Sequence, residues 1–337
     1  MVDTILNFTM FQKYMTPLKC TLFSKFNSEE KIDIFFSTTW CRDRLFTSEN
    51  PNDILKFYDT FSNRDELIQW MKERPKGRAE IIEVEGDKEI IVVIPTADFN
   101  GKYAKECREN IFKGLHIIFV ESGFPKDPYF NYAHNCNIGI KKAMEYNPKW
   151  IVLSNDDMVR VDSPDKLRES LSKINDNYDI VFALVNGIME ETGISTRTKR
   201  RSIAISLFKR ERRILLALEK RFGMKLVFFE PFYFKNLLFS EKIKFKNIGP
   251  FGIFSNRFIK ENNSLFDETY VNGIEDYDLC LDAHLNKRVL GSIDYTIGSP
   301  RSQSLGTGFG RILRDQVNRI YFSSKFSDKL LDLTLQK

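Results

Sequence analysis

Four short and almost uninterrupted apolar segments, each followed by polar residues, constrain the fold of this chain more than any other feature. They are residues 90–95, 116–122, 150–155 and 179–186. A strand that is apolar at nearly every position is buried on both faces, as parallel strands covered by helices are. Helices are predicted between these segments at about 102–113, at 132–146 and from Pro164, which Asp162 or Ser163 would cap.

This alternation of strands and helices predicts an α/β fold, with a Rossmann-like, mostly parallel and doubly wound sheet flanked by helices. Ligands of such sheets bind beyond the carboxyl ends of the strands. The polar residues that directly follow each apolar segment are therefore the first candidates for a functional site.

Cysteine usage and hydropathy bear on the compartment. The chain has 337 residues and five cysteines, an odd number with no C-x-x-C pair, so neither a disulfide framework nor a zinc knuckle is indicated. The first residues lack a secretory signal pattern, and no apolar run approaches the roughly 20 residues that span a bilayer. We expect a cytoplasmic protein, with peripheral binding to the inner face of the membrane as an option.

Acidic and polar residues follow three of the apolar segments. They are Pro95, Thr96 and Asp98 after the first, Glu121 after the second, and Asn155, Asp156 and Asp157 after the third. Two carboxylates on a tight turn suit a hard divalent cation, Mg²⁺ or Mn²⁺, that also takes phosphate oxygens as ligands. The alternative is that the Asp-Asp pair only turns the chain, and that Glu121 is a solvated loop charge.

A second acidic group begins a predicted amphipathic helix in FDETYVNGIEDYDLCLDAH (266–284). Glu275, Asp276 and Asp278 lie in its first turn. One of these carboxylates could accept a proton from an attacking hydroxyl as a general base. The alternative is simple stabilisation of the helix N-terminus by negative charge. In the predicted helix 132–146, Asn137 and Gly139 could approach a phosphate, or Gly139 could serve packing alone.

Taken in order, seven segments between about Glu89 and Lys325 resemble the inverting family 2 of glycosyltransferases, which have the A-type nucleotide-sugar fold. The segments are IIVVIPTAD, IIFVESG, NCNIGIKKA, WIVLSNDDM, GPFGIFS, FDETYVNGIEDYDLCL and NRIYFSSK. The last resembles the C-terminal helix of rhamnosyltransferase-like members. The resemblance implies transfer of a sugar from a nucleotide-diphosphate sugar to a hydroxyl of a glycan or lipid-linked acceptor, with inversion and with Mg²⁺ or Mn²⁺ as cofactor.

The resemblance also implies a role for each matching residue. Nucleotide-sugar binding falls to Pro95, Thr96, Asp98, Glu121, Asn137 (near the diphosphate) and Asp156. Asp157 is the implied metal ligand and Asp276 the implied catalytic base, with Glu275 and Asp278 on the acceptor side. The chain departs from the family pattern at three points: Asn155 holds the first D-x-D position, Glu121 stands where Asp is usual, and IGSPRSQSLG after the last strand lacks a His.

These segments divide the chain into three parts. Residues 1–88 form an N-terminal α/β extension outside the resemblance, with strands expected at 31–40 and 79–86 and a helix from about Ser62 to Met71. Residues 89–300 form the catalytic domain, which carries a basic insertion at 196–245. Residues 301–337 form a C-terminal helical segment.

The basic insertion is the most strongly charged part of the chain, because residues 197–225 contain eleven Lys or Arg and two Glu. An apolar stripe at helical spacing runs through it, so it could bind an anionic membrane surface. The alternative is a solvated helical hairpin packed on the core. No nucleic-acid recognition motif accompanies the charge, and we expect no nucleic-acid partner. Two other functions remain open: a non-catalytic sugar-nucleotide-binding protein of the same fold, and a nucleotidyltransferase.

Overall fold

The computed structural model describes residues 42, 45, 51–123, 127, 129–175, 177–197, 240–262, 264–300 and 314–326. The strands are β1 (Glu80–Val84), β2 (Asp87–Thr96), β3 (Leu115–Glu121), β4 (Trp150–Ser154), β5 (Val159–Arg160), β6 (Ile180–Val185), β7 (Glu191–Arg197), β8 (Ser240–Lys246), β9 (Phe251–Ser255) and β10 (Leu290–Gly298). The helices are α1 (Pro51–Asp59), α2 (Arg64–Glu73), α3 (Lys102–Glu106), α4 (Tyr132–Met144), α5 (Pro164–Ser172), α6 (Asn256–Glu261), α7 (Glu275–Leu285) and α8 (314–326).

Eight of these strands form one sheet in the order β1-β3-β2-β4-β9-β6-β10-β5, and β7 pairs with β8 in a separate two-stranded sheet. Strands β3, β2, β4, β6 and β10 run in one direction. Strands β1, β9 and β5 run against their neighbours. The predicted α/β class with a mostly parallel sheet is thus confirmed. Segment 251–255 returns between β4 and β6 as an antiparallel strand.

Both faces of the sheet are buried, as the unbroken apolar segments predicted. Along β2, Ile91 and Val93 belong to the core beneath α4, α7 and α8. Their neighbours Ile90, Val92 and Ile94 belong to the core beneath α3 and α5. Side chains of a strand alternate between its faces, so an apolar residue at every position supplies both cores at once.

Helix starts follow the side-chain caps expected from the sequence. The Asn63 side chain accepts a hydrogen bond from the Glu66 backbone N–H, and the Glu66 side chain accepts one from the Ser62 backbone N–H, which makes a capping box at α2. Ser163 caps α5, whose first residue is Pro164. The helix predicted at 102–113 is α-helical only over Lys102–Glu106, because α3 continues as a π-helical turn over Cys107–Ile111.

The segment before residue 89 contributes to the main sheet. β1 pairs with β3 as an edge strand, and α1 and α2 pack with Val271, Val317 and Ile320 in a third apolar core. The predicted strand at 31–40 and the basic segment 198–225, whose preceding residue Arg197 ends β7, lie outside the described residues. Among the helices that the structure does describe, none combines the length and apolarity needed to cross a membrane.

Candidate functional site

Polar ends of three parallel strands meet at one edge of the sheet. β2 lies between β3 and β4, and in its register Thr96 stands beside Glu121. The turn Asn155–Asp157 follows β4 directly. The structure therefore brings together the groups that the sequence placed after the first three apolar segments.

Asp156 points across this edge to Thr96. The Thr96 hydroxyl donates a hydrogen bond to Oδ2 of Asp156 over 2.7 Å. Burial raises the pKa of the Asp156 carboxyl, the Thr96 hydrogen bond opposes that rise, and the adjacent charge of Asp157 adds to it. The Cys107 thiol donates to the backbone oxygen of Asp156 over 3.3 Å, so the π-helical turn supports the same residue from below.

Asp157 is buried, with 5% of its surface exposed. Burial raises the pKa of its carboxyl, opposed only by its own backbone N–H. Two neighbouring carboxylates, one buried and one half-buried, repel each other, and a divalent cation would relieve that repulsion. The described residues contain no group of three or more His, Cys, Asp or Glu side chains arranged to hold a metal. A divalent cation at this pair would have to complete its coordination shell with water and phosphate oxygens.

Glu121 is held on both of its oxygens. Oε1 forms a 2.9 Å ion pair with Arg78, which also pairs with Glu80, and Oε2 accepts the Phe99 backbone N–H over 2.8 Å. Glu121 thereby fixes the 97–101 loop after β2. Asp98 in this loop is exposed and accepts the backbone N–H of Asn100, whereas Pro95 is buried at the end of β2.

Asp276 reaches the same edge through the turn that precedes β9. The Asn247 side chain donates from Nδ2 to Oδ2 of Asp276 over 2.9 Å. Three residues later, the Pro250 carbonyl accepts the backbone N–H of Asn155 over 3.0 Å. One turn, residues 247–250, therefore contacts both the Asn-Asp-Asp segment and the first turn of α7.

Tyr132 makes a second connection between these two acidic segments. Its hydroxyl donates to Oδ1 of Asn155 over 2.8 Å. Burial raises the pKa of the Tyr132 phenol well above its ordinary value, and Cys136 together with the carboxyl groups of Glu275 and Asp276 raises it further. Tyr132 thus lies against the start of α7 while it holds the turn after β4.

The first turn of α7 is strained and poorly solvated. Ile274, its N-terminal flanking residue, has φ of 74°, a left-handed conformation that a β-branched residue rarely adopts. Glu275 is 7% exposed, and its Oε2 has no hydrogen-bond partner. Burial, with the charge of Asp276 next, raises the pKa of Glu275, and burial also raises the pKa of Asp276. Strain of this kind concentrates at functional sites.

Asp278 does not share the surroundings of Asp276. Its Oδ2 forms a 2.6 Å ion pair with Lys325 of α8, whose ammonium also binds Asp267 over 2.8 Å. Residues two apart on a helix point in different directions, so Asp278 anchors α8 to α7 while Asp276 contacts Asn247. The structure gives Asp278 a structural contact where the acceptor side was expected.

Asn137 and Gly139 also serve packing. The Asn137 amide nitrogen donates to the Phe266 carbonyl and to Glu268, and its oxygen accepts the backbone N–H groups of Leu265 and Phe266. A Cβ on Gly139 would stand 2.5 Å from Val93. Asn137 thus braces the 265–268 loop, and Gly139 lets α4 approach the sheet.

Sequence reasoning overlooked Asn247, Tyr132 and Arg78. Each is a single polar residue outside an acidic motif, and only Asn247, in the NIGPFG turn before a strand, carried a weak turn signal. Comparison of the chain with models of protein families and with the sequences of curated proteins gave no match.

Proposed function

We propose that the chain is a glycosyltransferase of the A-type nucleotide-sugar fold, which transfers a sugar from a nucleotide-diphosphate donor to a hydroxyl acceptor with inversion. The single observation that supports this most is the 247–250 turn, which contacts Asp276 at one end and Asn155 at the other. Acidic segments some 120 residues apart in the chain thereby contact the same turn, and we infer that they face one edge of the sheet. That edge is the carboxyl end of β2, β3 and β4, where α/β proteins bind their ligands.

The residues at this edge divide into a donor side and an acceptor side. Thr96, Glu121 and Asp156 lie at the ends of β2, β3 and β4, and we assign them with Pro95 and Asp98 to the nucleoside and diphosphate. Asp157 would hold a Mg²⁺ or Mn²⁺ ion. Such an ion, when bound, neutralises the charge that develops on a diphosphate leaving group.

Asp276 is the proposed general base. In an inverting transfer one carboxylate removes the proton from the acceptor hydroxyl as its oxygen attacks the anomeric carbon, and the bond to the diphosphate breaks on the opposite face. The raised pKa of Asp276 suits this role, because a base is most effective when its pKa lies near the working pH. Asn247 holds Oδ2 of this carboxylate with a 2.9 Å hydrogen bond.

The competing functions predict different results at the same residues. A non-catalytic sugar-nucleotide-binding protein would need the donor side but would not need an ionised Asp276. A nucleotidyltransferase would release pyrophosphate from a nucleoside triphosphate. We favour the glycosyltransferase because a half-buried carboxylate held by an amide partner suits proton transfer, and binding alone does not need such a group.

The first experiment is a thermal-shift screen of UDP-, GDP-, CDP-, ADP- and dTDP-sugars, each with and without Mn²⁺. A ligand that binds the folded state raises its apparent stability by mass action. Donors that bind are then incubated with hydroxyl acceptors, and release of nucleoside diphosphate is measured. The screen also includes nucleoside triphosphates, with pyrophosphate release as the readout.

Asp276→Asn should bind the donor like the wild type but lose turnover by a factor of at least 10². Asp157→Asn should lose the part of binding that depends on Mn²⁺. Glu109→Gln, an exposed carboxylate on the π-helical turn, is the control and should change neither. The proposal fails if no nucleotide sugar stabilises the wild type, or if Asp276→Asn retains full turnover.

A further inference from the structure

Asn247 is the closest neutral partner of the proposed base. It is 5% exposed and lies in the turn between β8 and β9. Its backbone N–H donates to the Glu190 carbonyl over 2.9 Å, which fixes the main chain, and its side chain donates to Asp276. The residue is therefore held at its backbone N–H and at its side-chain amide nitrogen.

The Asn247 amide satisfies only one of its two polar atoms. Nδ2 donates to Oδ2 of Asp276, whereas the buried Oδ1 has no hydrogen-bond partner. A buried polar atom without a partner destabilises the fold. An apolar side chain at this position would avoid that cost. The hydrogen bond to Asp276 is the interaction that only the amide provides, and it offsets the unpartnered oxygen.

The side chains around Asp276, apart from Asn247, disfavour its charge. The carboxyl groups of Glu275 and Glu190 face it, the phenols of Tyr132 and Tyr277 and the thiol of Cys280 are its other titratable neighbours, and it lies at a buried helix start. Burial and the charge of Glu190 raise the pKa of Asp276, whereas the Asn247 hydrogen bond and, after it, the backbone N–H groups of Tyr277 and Asp276 lower it. Asn247 is thus the side-chain donor that opposes protonation.

We propose that Asn247 is a positioning residue: its hydrogen bond to Oδ2 favours the ionised form of Asp276 and fixes the orientation of the carboxylate that removes the acceptor proton. This inference rests on the proposed function and assigns a role to a residue outside the acidic motifs. A hydrogen bond to an ionised group is stronger than one between neutral groups. Its loss should therefore act more on the charged form of Asp276 than on the protonated form.

The test is the pH profile of kcat for the donor found in the screen, measured for the wild type and for Asn247→Ala. We expect the acidic limb of the profile to move up by about one pH unit, because loss of a charge-assisted hydrogen bond is equivalent to a pKa change of that order. At pH values well below the limb kcat should fall about tenfold, with much of it recovered at high pH. The Kd of the donor should stay within twofold.

Asn247→Asp is the second variant, because it keeps the side-chain shape and replaces the donor with a third carboxylate near Asp276. It should move the acidic limb further than Asn247→Ala does. Asn286→Ala is the matched control: Asn286 donates to Asp282 over 2.8 Å on the exposed far end of the same helix, and its loss should leave the limb in place.

A double-mutant cycle tests the contact without measuring turnover. It compares the free energies of unfolding of the wild type, Asn247→Ala, Asp276→Asn and the double variant. The coupling between the two positions should be larger at pH 8 than at pH 5. An unchanged acidic limb in active Asn247 variants, or a coupling that is the same at both pH values, overturns the inference. Absence of turnover in the wild type overturns the proposed function instead.

Discussion

Replacing Glu275 by Gln should stabilise the protein at alkaline pH, although it removes an acidic residue from a helix N-terminus, where negative charge is ordinarily favourable. Glu275 is 7% exposed, its Oε2 has no partner, and Asp276 follows it directly. The folded protein therefore disfavours the charged form of this side chain more than the unfolded chain does.

The magnitude follows from the pKa, which burial raises from 4.5 to about 8. Between these values the unfolded chain has released the proton while the folded protein still holds it, so the unfolding free energy falls as pH rises. At about 1.4 kcal/mol per pKa unit, the fall reaches about 4 kcal/mol by pH 8. Gln removes this loss but brings two N–H groups that need partners, and we expect a net gain of about 2 kcal/mol at pH 8.

Urea unfolding of the wild type, Glu275→Gln and the control Glu109→Gln at pH 5 and pH 8 measures this directly. The midpoint of Glu275→Gln should exceed that of the wild type at pH 8 and lie slightly below it at pH 5, where the two added N–H groups cost more than the small loss from ionisation; the m value should not change. Glu109 is exposed, so its variant should follow the wild type at both pH values. A Glu275→Gln protein that is no more stable than the wild type at pH 8 would contradict the reasoning.

Three further substitutions test separate parts of the structure. Gly139→Ala places a Cβ 2.5 Å from Val93 and should destabilise the protein by about 1–3 kcal/mol in denaturant unfolding; no loss would mean that α4 can shift. Lys287→Gly relieves φ of 54° just after α7 and should raise the unfolding free energy by about 0.5–1 kcal/mol, which calorimetry checks. Tyr132→Phe leaves Asn155 without its 2.8 Å donor; it should cost about 1 kcal/mol and weaken donor binding, and a variant that binds the donor normally would show that this contact is dispensable.

Much of the fold could be predicted from the sequence, because the patterns that indicate strands and helix starts are local. Strand positions followed from apolar runs that need burial on both faces, and helix starts followed from caps such as Asn63 and Ser163. The grouping of Thr96, Glu121 and Asp157 at one edge followed from the rule that parallel strands end together. Strand direction was not legible: nothing within residues 251–255 distinguishes an antiparallel strand from a parallel one, because the direction depends on the path of the chain between strands.

The roles of the individual carboxylates were decided only in three dimensions. In the sequence, Glu275, Asp276 and Asp278 are three similar acidic residues. In the structure Glu275 is buried with an oxygen that lacks a partner, Asp276 is held by Asn247, and Asp278 is paired with Lys325. Composition and spacing determined that acidic groups begin this helix. Which carboxylate contacts the Asn247 amide, which contacts the Lys325 ammonium and which contacts neither depends on the packing of distant segments, the 247–250 turn and α8. The reason is that the electrostatic environment of a side chain is set by the groups that the fold places against it.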